Sequence, residues 1–129
     1  MSAEPILVVD DNPINLKLIR VLLTGEGYEV RAALDAEEAA VILQSFRPLL
    51  ILMDLQLPGM DGYEFTRRLK AEPETRDIVI FAVTSYAMKG DEQRALDAGC
   101  DGYISKPIDT EALPRIIAAR LAAPALAST

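Results

Sequence analysis

Four short apolar segments of this chain are each followed by polar residues that can take part in chemistry. Those polar residues are Asp10 and Asp11, Asp54, Thr84 and Lys106. If the four segments are parallel strands, their carboxyl ends lie at the same edge of a sheet, where open α/β sheets place their functional crevice. We therefore expect three carboxylates, a hydroxyl and an ammonium group to converge there.

The chemistry that this set favours is phosphorylation of an aspartate. Carboxylates crowded in a partly apolar crevice repel one another, and a divalent cation relieves that repulsion. Oxygen ligands of this kind suit Mg²⁺, which accepts one or two carboxylates together with phosphate oxygens. A carboxylate beside the ion could attack a phosphorus centre, while the lysine and the threonine bind phosphoryl oxygens. A purely structural role is least plausible for Asp54, because apolar residues enclose it and an acid is costly to bury there without a function.

Each of these residues also has a simpler interpretation when it is taken alone. The run Asp-Asp-Asn-Pro at residues 10–13 is a good helix start, because acids favour helix N-termini. Threonines such as Thr84 commonly end strands, and a lone lysine such as Lys106 is more often a solvated charge. The joint position of the polar residues at the ends of four strands is what favours a common site.

The elements that must position these residues follow from the hydropathy pattern. Short apolar runs alternate with stretches of helical period, which favours five βα units and a parallel sheet with helices on both faces. The strands are expected at Ile6–Val9, Glu29–Ala32, Leu49–Met53, Ile78–Val83 and Gly102–Ser105. The helices are expected to start at Asn12 or Pro13, Asp35, Gly62, about Lys89, and Asp109 or Thr110. The predicted apolar face of the first helix comprises Ile14, Leu18, Val21 and Leu22.

The composition excludes several classes of function. The chain has no histidine, which removes the serine/histidine/acid triad, the commonest zinc ligand and a phosphohistidine on this chain. Its single cysteine, Cys100, excludes an internal disulfide and any CxxC motif. A formal net charge of −7 without a basic run argues against direct binding to nucleic acid or to an anionic membrane.

The length of 129 residues indicates one domain, which we expect over residues 1–124, followed by a flexible tail over residues 125–129. The N-terminus does not resemble a signal peptide, and the longest apolar runs are far shorter than the roughly 20 residues that a membrane span needs. We expect a cytoplasmic protein with no room for a fused output domain, so that its output passes through protein partners.

The sequence resembles the receiver domain of two-component response regulators from about Ile6 to Leu121. Four stretches carry the resemblance: ILVVDDN at 6–12, ILMDLQLPGMDG at 51–62, AVTS at 82–85 and GYISKP at 102–107. The resemblance implies a flavodoxin-like fold with strand order 2-1-3-4-5. The stretch AMKGDE at 87–92, with the GC pair at 99–100, is similar to single-domain receivers of the DivK type, and receivers fused to hybrid histidine kinases share much of it.

The resemblance also implies an acceptor and a set of metal ligands. By this likeness Asp54 is the phosphoacceptor and a ligand of Mg²⁺. Asp11 is a direct ligand, Asp10 acts partly through water, and Gln56 offers its backbone carbonyl. No other cofactor is implied.

Residues that bind the phosphoryl group and respond to it are implied in the same way. Thr84 would bind the phosphoryl group, and Lys106 would pair with it. Tyr103 would be the aromatic residue that swings inward when Thr84 moves. The peptide bond before Pro107 is expected to be cis, which would fix the loop that presents Lys106.

The function implied is a phosphorylation switch rather than an enzyme acting on a small molecule. A histidine kinase or histidine phosphotransfer protein would donate the phosphoryl group, and a downstream protein would read the change on helix four, strand five and helix five, near Tyr103 and Arg94. The domain would also catalyse its own slow dephosphorylation, at a rate tuned by Gln56 and Tyr86, which flank the site.

Three alternatives to the switch remain open. The domain could be a phosphate sink or relay intermediate that drains a hybrid kinase. A magnesium-dependent phosphohydrolase is disfavoured because Gln56 replaces the second acid expected two residues after the nucleophile. A flavin-binding module is disfavoured because Asp10 and Asp11 would repel a phosphate.

Overall fold

The computed structural model describes residues 4–57, 61–84, 91–106 and 108–122 of the chain. Strands and helices alternate along these residues, as the hydropathy pattern predicts. The strands are β1 (Pro5–Val9), β2 (Glu29–Ala33), β3 (Leu50–Asp54), β4 (Val79–Thr84) and β5 (Gly102–Ser105). The helices are α1 (Pro13–Gly25), α2 (Ala36–Leu43), α3 (Gly62–Ala71), α4 (Asp91–Ala98) and α5 (Ala112–Ala122).

The strands form one parallel sheet in the order β2-β1-β3-β4-β5, which confirms the predicted flavodoxin-like topology. All five residues of β3 are buried, as expected for a central strand covered by helices on both faces. Parallel pairing aligns Val9 with Met53, Asp54 with Val83, and Thr84 with Ser105. This register brings the carboxyl ends of β1, β3, β4 and β5 to the same edge of the sheet.

Two apolar layers cover the two faces of the sheet. On one face, α1 and α5 bury Leu23 and Ile117 against strand residues such as Leu52. On the other face, α2, α3 and α4 bury residues such as Phe65 and Ala95. In the part of the chain that the structure describes, no helix is long and apolar enough to cross a membrane.

The predicted apolar face of α1 is wrong. Ile14, Leu18 and Val21 are 77%, 48% and 65% exposed, and only Leu22 of the predicted four packs against the core. The residues that α1 buries instead are Leu16, Ile19 and Leu23. Apolar residues lie on more than one side of this helix, so helical period alone does not show which side faces the sheet.

Several elements begin or end at residues other than those predicted. Asp54 and Thr84 are the last residues of β3 and β4 rather than the first residues after them, because both still pair with the neighbouring strand. The first helical residue of α5 is Ala112, and Asp109 precedes it as a cap that accepts the backbone N–H groups of Glu111 and Ala112. The predicted start of the fourth helix at Lys89 lies outside the described residues.

Candidate functional site

Three carboxylates meet at the carboxyl edge of the sheet. Asp10 follows β1 and Asp54 ends β3; these residues are 2% and 3% exposed, whereas Asp11 is exposed to solvent. One carboxylate oxygen of each residue lies within 4.8 Å of the others. The strand register, rather than local sequence, causes this convergence, because Asp54 is more than forty residues away along the chain.

Lys106 lies between the two buried carboxylates. Its Nζ is 3.0 Å from Asp10 Oδ2 and 3.2 Å from Asp54 Oδ2. The backbone N–H of Lys106 donates to the carbonyl of Thr84 at 2.7 Å, which extends the pairing of β5 with β4 by one residue. One ammonium group therefore contacts two of the three carboxylates of the cluster.

Short-range hydrogen bonds orient the buried carboxylates. The N–H of Gln56 donates to Asp54 Oδ1 at 2.9 Å, and the N–H of Asn12 donates to Asp10 Oδ1 at 2.8 Å. Asn12 in turn caps α1 by accepting the N–H of Ile14 at 2.9 Å. Each buried carboxylate therefore has one oxygen bonded to the backbone and the other bonded to Lys106.

Burial changes the proton affinity of these groups. Desolvation raises the pKa of Asp54 above its usual value, and the negative charge of Asp10 adds to this. The Gln56 N–H and Lys106 offset the rise only in part. Burial alone would lower the pKa of Lys106, but the hydrogen bond to Asp10 and the charges of Asp54 and Asp10 outweigh it and raise that pKa.

The raised pKa of Asp54 predicts a pH-dependent stability difference. The unfolded chain loses the proton of this carboxyl near the usual pKa of 3.8, whereas the folded protein keeps it to a higher pH. Between these two pKa values the free energy of unfolding therefore falls as the pH rises. Asp54→Asn has no carboxyl at this position and so does not lose this stability. In metal-free buffer the variant should therefore be more stable than the wild type at neutral pH, and the difference should shrink as the pH falls toward 4.

Urea unfolding curves of both proteins, recorded in EDTA from about pH 4 to pH 7, measure this difference. A wild type that is the more stable protein at neutral pH would show that Lys106 more than compensates for the burial of Asp54.

Three of the remaining residues of the predicted site, Thr84, Tyr103 and Gln56, lie in the part of the chain that the structure describes. Thr84 is 2% exposed at the end of β4, next to β5, the strand that Lys106 follows. Tyr103, in β5, is partly buried and packs against the layer formed by α2, α3 and α4. Gln56 lies two residues beyond Asp54, with its backbone N–H bonded to that carboxylate. Tyr86 and Pro107, with its predicted cis bond, lie outside the described residues.

Two features of this region do not follow from the sequence interpretation. Arg94 of α4 stacks on the ring of Tyr63 in α3, with its guanidinium carbon 4.1 Å from the ring centroid. Gly62, the first residue of α3, lies against the backbone of Asp54 and Leu55. A glycine at a helical position where alanine is normally more favourable is the sequence signal that could have drawn attention to this contact.

Comparison with known proteins agrees with this geometry. Residues 6–118 match the response regulator receiver domain family. The chain belongs to that family. This receiver domain is 46% identical over 114 residues to the polar-differentiation response regulator DivK of Brucella anthropi, a match that covers 88% of this chain and 90% of the relative. The DivK of Brucella ovis matches with the same identity and coverage.

Solved structures resemble this receiver domain as a whole. A CheY-like receiver domain protein of Methanospirillum hungatei superimposes with a TM-score of 0.85 at 32% identity, over 93% of this chain and 94% of the other. The receiver domain of a sensor histidine kinase of Pseudomonas aeruginosa superimposes with a TM-score of 0.81 at 37% identity, over 90% of this chain and 95% of the other. That second structure has a magnesium ion coordinated in its active-site cleft.

The acidic cluster of this receiver domain fits the phosphoacceptor site that its family implies. Its donor set consists of carboxylate oxygens, which are hard ligands suited to Mg²⁺ rather than to zinc or copper. Asp10 and Asp54 are buried and Asp11 is exposed, so an ion bound here would keep one side open to water.

Proposed function

We propose that this receiver domain accepts a phosphoryl group on Asp54 from a phosphohistidine of a histidine kinase or histidine phosphotransfer protein, and that phosphorylation switches its binding to a downstream protein. The observation that carries the proposal is the buried cluster of Asp10 and Asp54 bridged by Lys106, with Asp11 beside it. A structural ion pair needs one carboxylate for one lysine, whereas this cluster has two surplus acids.

The chain's own residues supply the nucleophile and its orientation. The Gln56 N–H bonds Asp54 Oδ1 and so fixes the plane of the carboxylate. One oxygen of Asp54 attacks the phosphorus and forms a new O–P bond, while the P–N bond to the donor's imidazole breaks and its electron pair leaves with that imidazole. The product is an acyl phosphate on Asp54. The donor must be another protein, because this chain has no histidine.

Asp10, Asp11, Asp54 and the backbone carbonyl of Gln56 would hold Mg²⁺ at this site. The bound ion would supply positive charge that offsets the carboxylates and the oxygens of the incoming phosphoryl group. Lys106 bonds both buried carboxylates through its ammonium group, which has three N–H donors. The same group would pair with an oxygen of the phosphoryl group once Asp54 carries it.

The proposed switch connects the acceptor to one face of the molecule. Thr84 is the last residue of β4 and lies at the same carboxyl edge of the sheet as Asp54. Its hydroxyl would donate a hydrogen bond to the phosphoryl group, which would draw the end of β4 toward the site. Tyr103 pairs across the sheet with Ala82, two residues before Thr84, and packs against the core, so a shift of β4 can alter its packing. The surface formed by α4, β5 and α5 would present the change to the downstream protein.

A phosphate sink or a relay intermediate is the second candidate function. The likeness to the receiver domain of a sensor histidine kinase favours it, since receivers also occur fused to kinases. The two functions differ in one measurable property. A switch must bind its target with different affinity in its two states, whereas a sink need not.

Reaction with phosphoramidate tests the proposed phosphoryl transfer, because its P–N bond resembles that of phosphohistidine. We expect the intact mass to show one added phosphoryl group when MgCl₂ is present, and no addition in EDTA. An adduct that forms equally well in EDTA would contradict the role of the carboxylate cluster, and the absence of any adduct would contradict the acceptor function itself.

Thr84→Ala is expected to separate phosphorylation from switching. The variant keeps Asp54 and should still be labelled. It loses a hydrogen bond to a charged group, worth about 1.5 kcal/mol or more, so the ratio of active to inactive conformers should fall about tenfold. The measurement is the change in the amide chemical shifts of Tyr103 and Ile104 on adding beryllofluoride, which mimics a phosphoryl group.

Thr75→Ala is the matched control for this experiment. Thr75 is also buried, and its hydroxyl donates to the carbonyl of Leu69 at the end of α3, away from the site. It should lose stability but keep the response of Tyr103 and Ile104. A full response in Thr84→Ala would show that Thr84 does not couple the site to β5.

A further inference from the structure

The first residue of α3 lies unusually close to the backbone that carries the acceptor. A Cβ atom added to Gly62 would lie 2.7 Å from the Cα of Leu55 and would overlap the carbonyl oxygen of Asp54. These are backbone atoms, which cannot rotate away as the end of a flexible side chain can. The N–H of Gly62 also donates to the carbonyl of Leu55 at 3.2 Å, so the two segments are bonded as well as packed.

Gly62 is needed for space and not for an unusual backbone conformation. The glycines with positive φ among the described residues are Gly27 and Gly99, and Gly62 is not one of them. Alanine is a better helix former than glycine in general. The close approach of Gly62 to the backbone of Asp54 and Leu55 is what accounts for glycine at this position.

Both sides of this contact are fixed by other interactions. Asp54 pairs with Val83, and the N–H of Leu55 donates to the carbonyl of Val83 at 3.1 Å. On the other side, Phe65 and Leu69 anchor α3 in the core. A side chain at position 62 must therefore displace the backbone at residues 54–55, the start of α3, or both.

We propose that Gly62 is a positioning residue for Asp54: the absence of a side chain lets α3 begin directly against residues 54–55 and fixes where the acceptor carboxylate lies. The inference rests on the proposed function, because it concerns the acceptor of that reaction. Two hydrogen bonds connect Gly62 with the carboxylate of Asp54. The N–H of Gly62 donates to the carbonyl of Leu55, and the N–H of the next residue, Gln56, donates to Asp54 Oδ1 at 2.9 Å.

The test compares Gly62→Ala with two other glycine-to-alanine variants. Gly25→Ala adds a methyl group where nothing lies within 4 Å, and should behave as the wild type. Gly99→Ala is the destabilised control, because Gly99 has a φ of +109° and a Cβ there would lie 2.8 Å from Cγ of Lys70. Gly99 precedes β5 and so lies toward the opposite edge of the sheet from Asp54.

Two quantities are measured for each variant. The first is the rate of labelling by acetyl phosphate in saturating MgCl₂, and the second is the amide chemical shift of Gln56 without metal. For Gly62→Ala we expect about a tenfold lower labelling rate, because small misplacements of a reacting group are costly, together with a shifted Gln56 resonance. Gly99→Ala should lose stability but keep both the rate and the resonance.

Three results would overturn the proposal. A folded Gly62→Ala that labels at the wild-type rate would show that Gly62 matters for packing only. An equal loss of labelling in Gly99→Ala would assign the effect to general destabilisation. If Gly62→Ala is unfolded in buffer, all proteins are measured in trimethylamine N-oxide, and a variant that stays unfolded there contradicts a local role.

A failure of the proposed function gives a different result. In that case the wild type itself is not labelled, while the Gln56 resonance still reports whether Gly62 positions the Asp54 segment.

Discussion

Lys106→Met is expected to lower the free energy of unfolding of the metal-free protein by about 3 kcal/mol. The side chain of Lys106 is 15% exposed, and it bonds the carboxylates of Asp10 and Asp54, which are 3% and 4% exposed. Methionine fills similar space but leaves two buried negative charges without a cation. Removing one partner of a buried ion pair is costly for this reason, whatever the net value of the intact pair.

Saturating MgCl₂ should reverse most of this loss. A divalent cation that binds Asp10, Asp11 and Asp54 supplies the charge that methionine lacks, and it no longer competes with Lys106 for the same oxygens. A ligand at about 100 times its dissociation constant adds about 2.7 kcal/mol to the stability of the state that binds it. Urea unfolding of the wild type and of Lys106→Met, each in EDTA and in MgCl₂, measures the four free energies of unfolding that this comparison requires.

Lys70→Met is the matched control for this prediction. Lys70 is also partly buried, and its Nζ bonds Asp101 Oδ2 at 3.0 Å and the carbonyl of Ile78 at 2.7 Å. This variant should lose stability as well, but Mg²⁺ should not restore it. Equal stabilisation of both variants and of the wild type by Mg²⁺ would show that Lys106 and the metal do not share the carboxylates.

The parallel sheet could be predicted from the sequence because short strand-like segments alternate with stretches of helical period. The strand order came from the resemblance to the receiver family and not from the hydropathy pattern. Runs such as Leu49–Met53 favour a strand buried on both faces, and parallel βα units place the ends of such strands at one edge. That reasoning located Asp54 and Thr84 at the correct edge, although both lie inside their strands. The roles assigned to them remain predictions for the experiments described above.

The buried side of α1 was not predictable from period alone. Ile14, Leu18 and Val21 have helical spacing, yet the residues that face the sheet are Leu16 and Ile19. A helix with apolar residues on two sides satisfies the hydropathy pattern in either orientation. The choice depends on how the connections at Asn12 and Gly27 direct the helix across the sheet, which is a property of the whole fold.

Two details of the site could not be predicted from the sequence. The joint bonding of Lys106 to Asp10 and Asp54 depends on the side-chain geometry of three strand ends. The contact of Gly62 with Leu55 joins residues on two separate elements. No spacing of residues along the chain predicts either feature, because both result from the packing of separate elements against one another.

Asp54→Asn is expected to abolish phosphoryl capture. Asparagine preserves the volume and one acceptor oxygen, so the hydrogen bond from the Gln56 N–H at 2.9 Å can persist. Its amide group is a poor nucleophile and carries no charge for a metal ion. The variant should be folded and at least as stable as the wild type in metal-free buffer at neutral pH, so a loss of labelling cannot be assigned to unfolding.

Asp35→Asn is the matched control for this substitution. Asp35 caps α2 by accepting the N–H of Glu38 at 2.8 Å, and asparagine is an equally good cap. The control removes one acid by the same chemical change without touching the site. It should be labelled at the wild-type rate.

The most direct test of the account is the intact mass of three proteins after incubation with acetyl phosphate and MgCl₂. The wild type and Asp35→Asn should each gain one phosphoryl group, and Asp54→Asn should gain none. Labelling of Asp54→Asn at the wild-type rate would contradict the assignment of Asp54 as the acceptor.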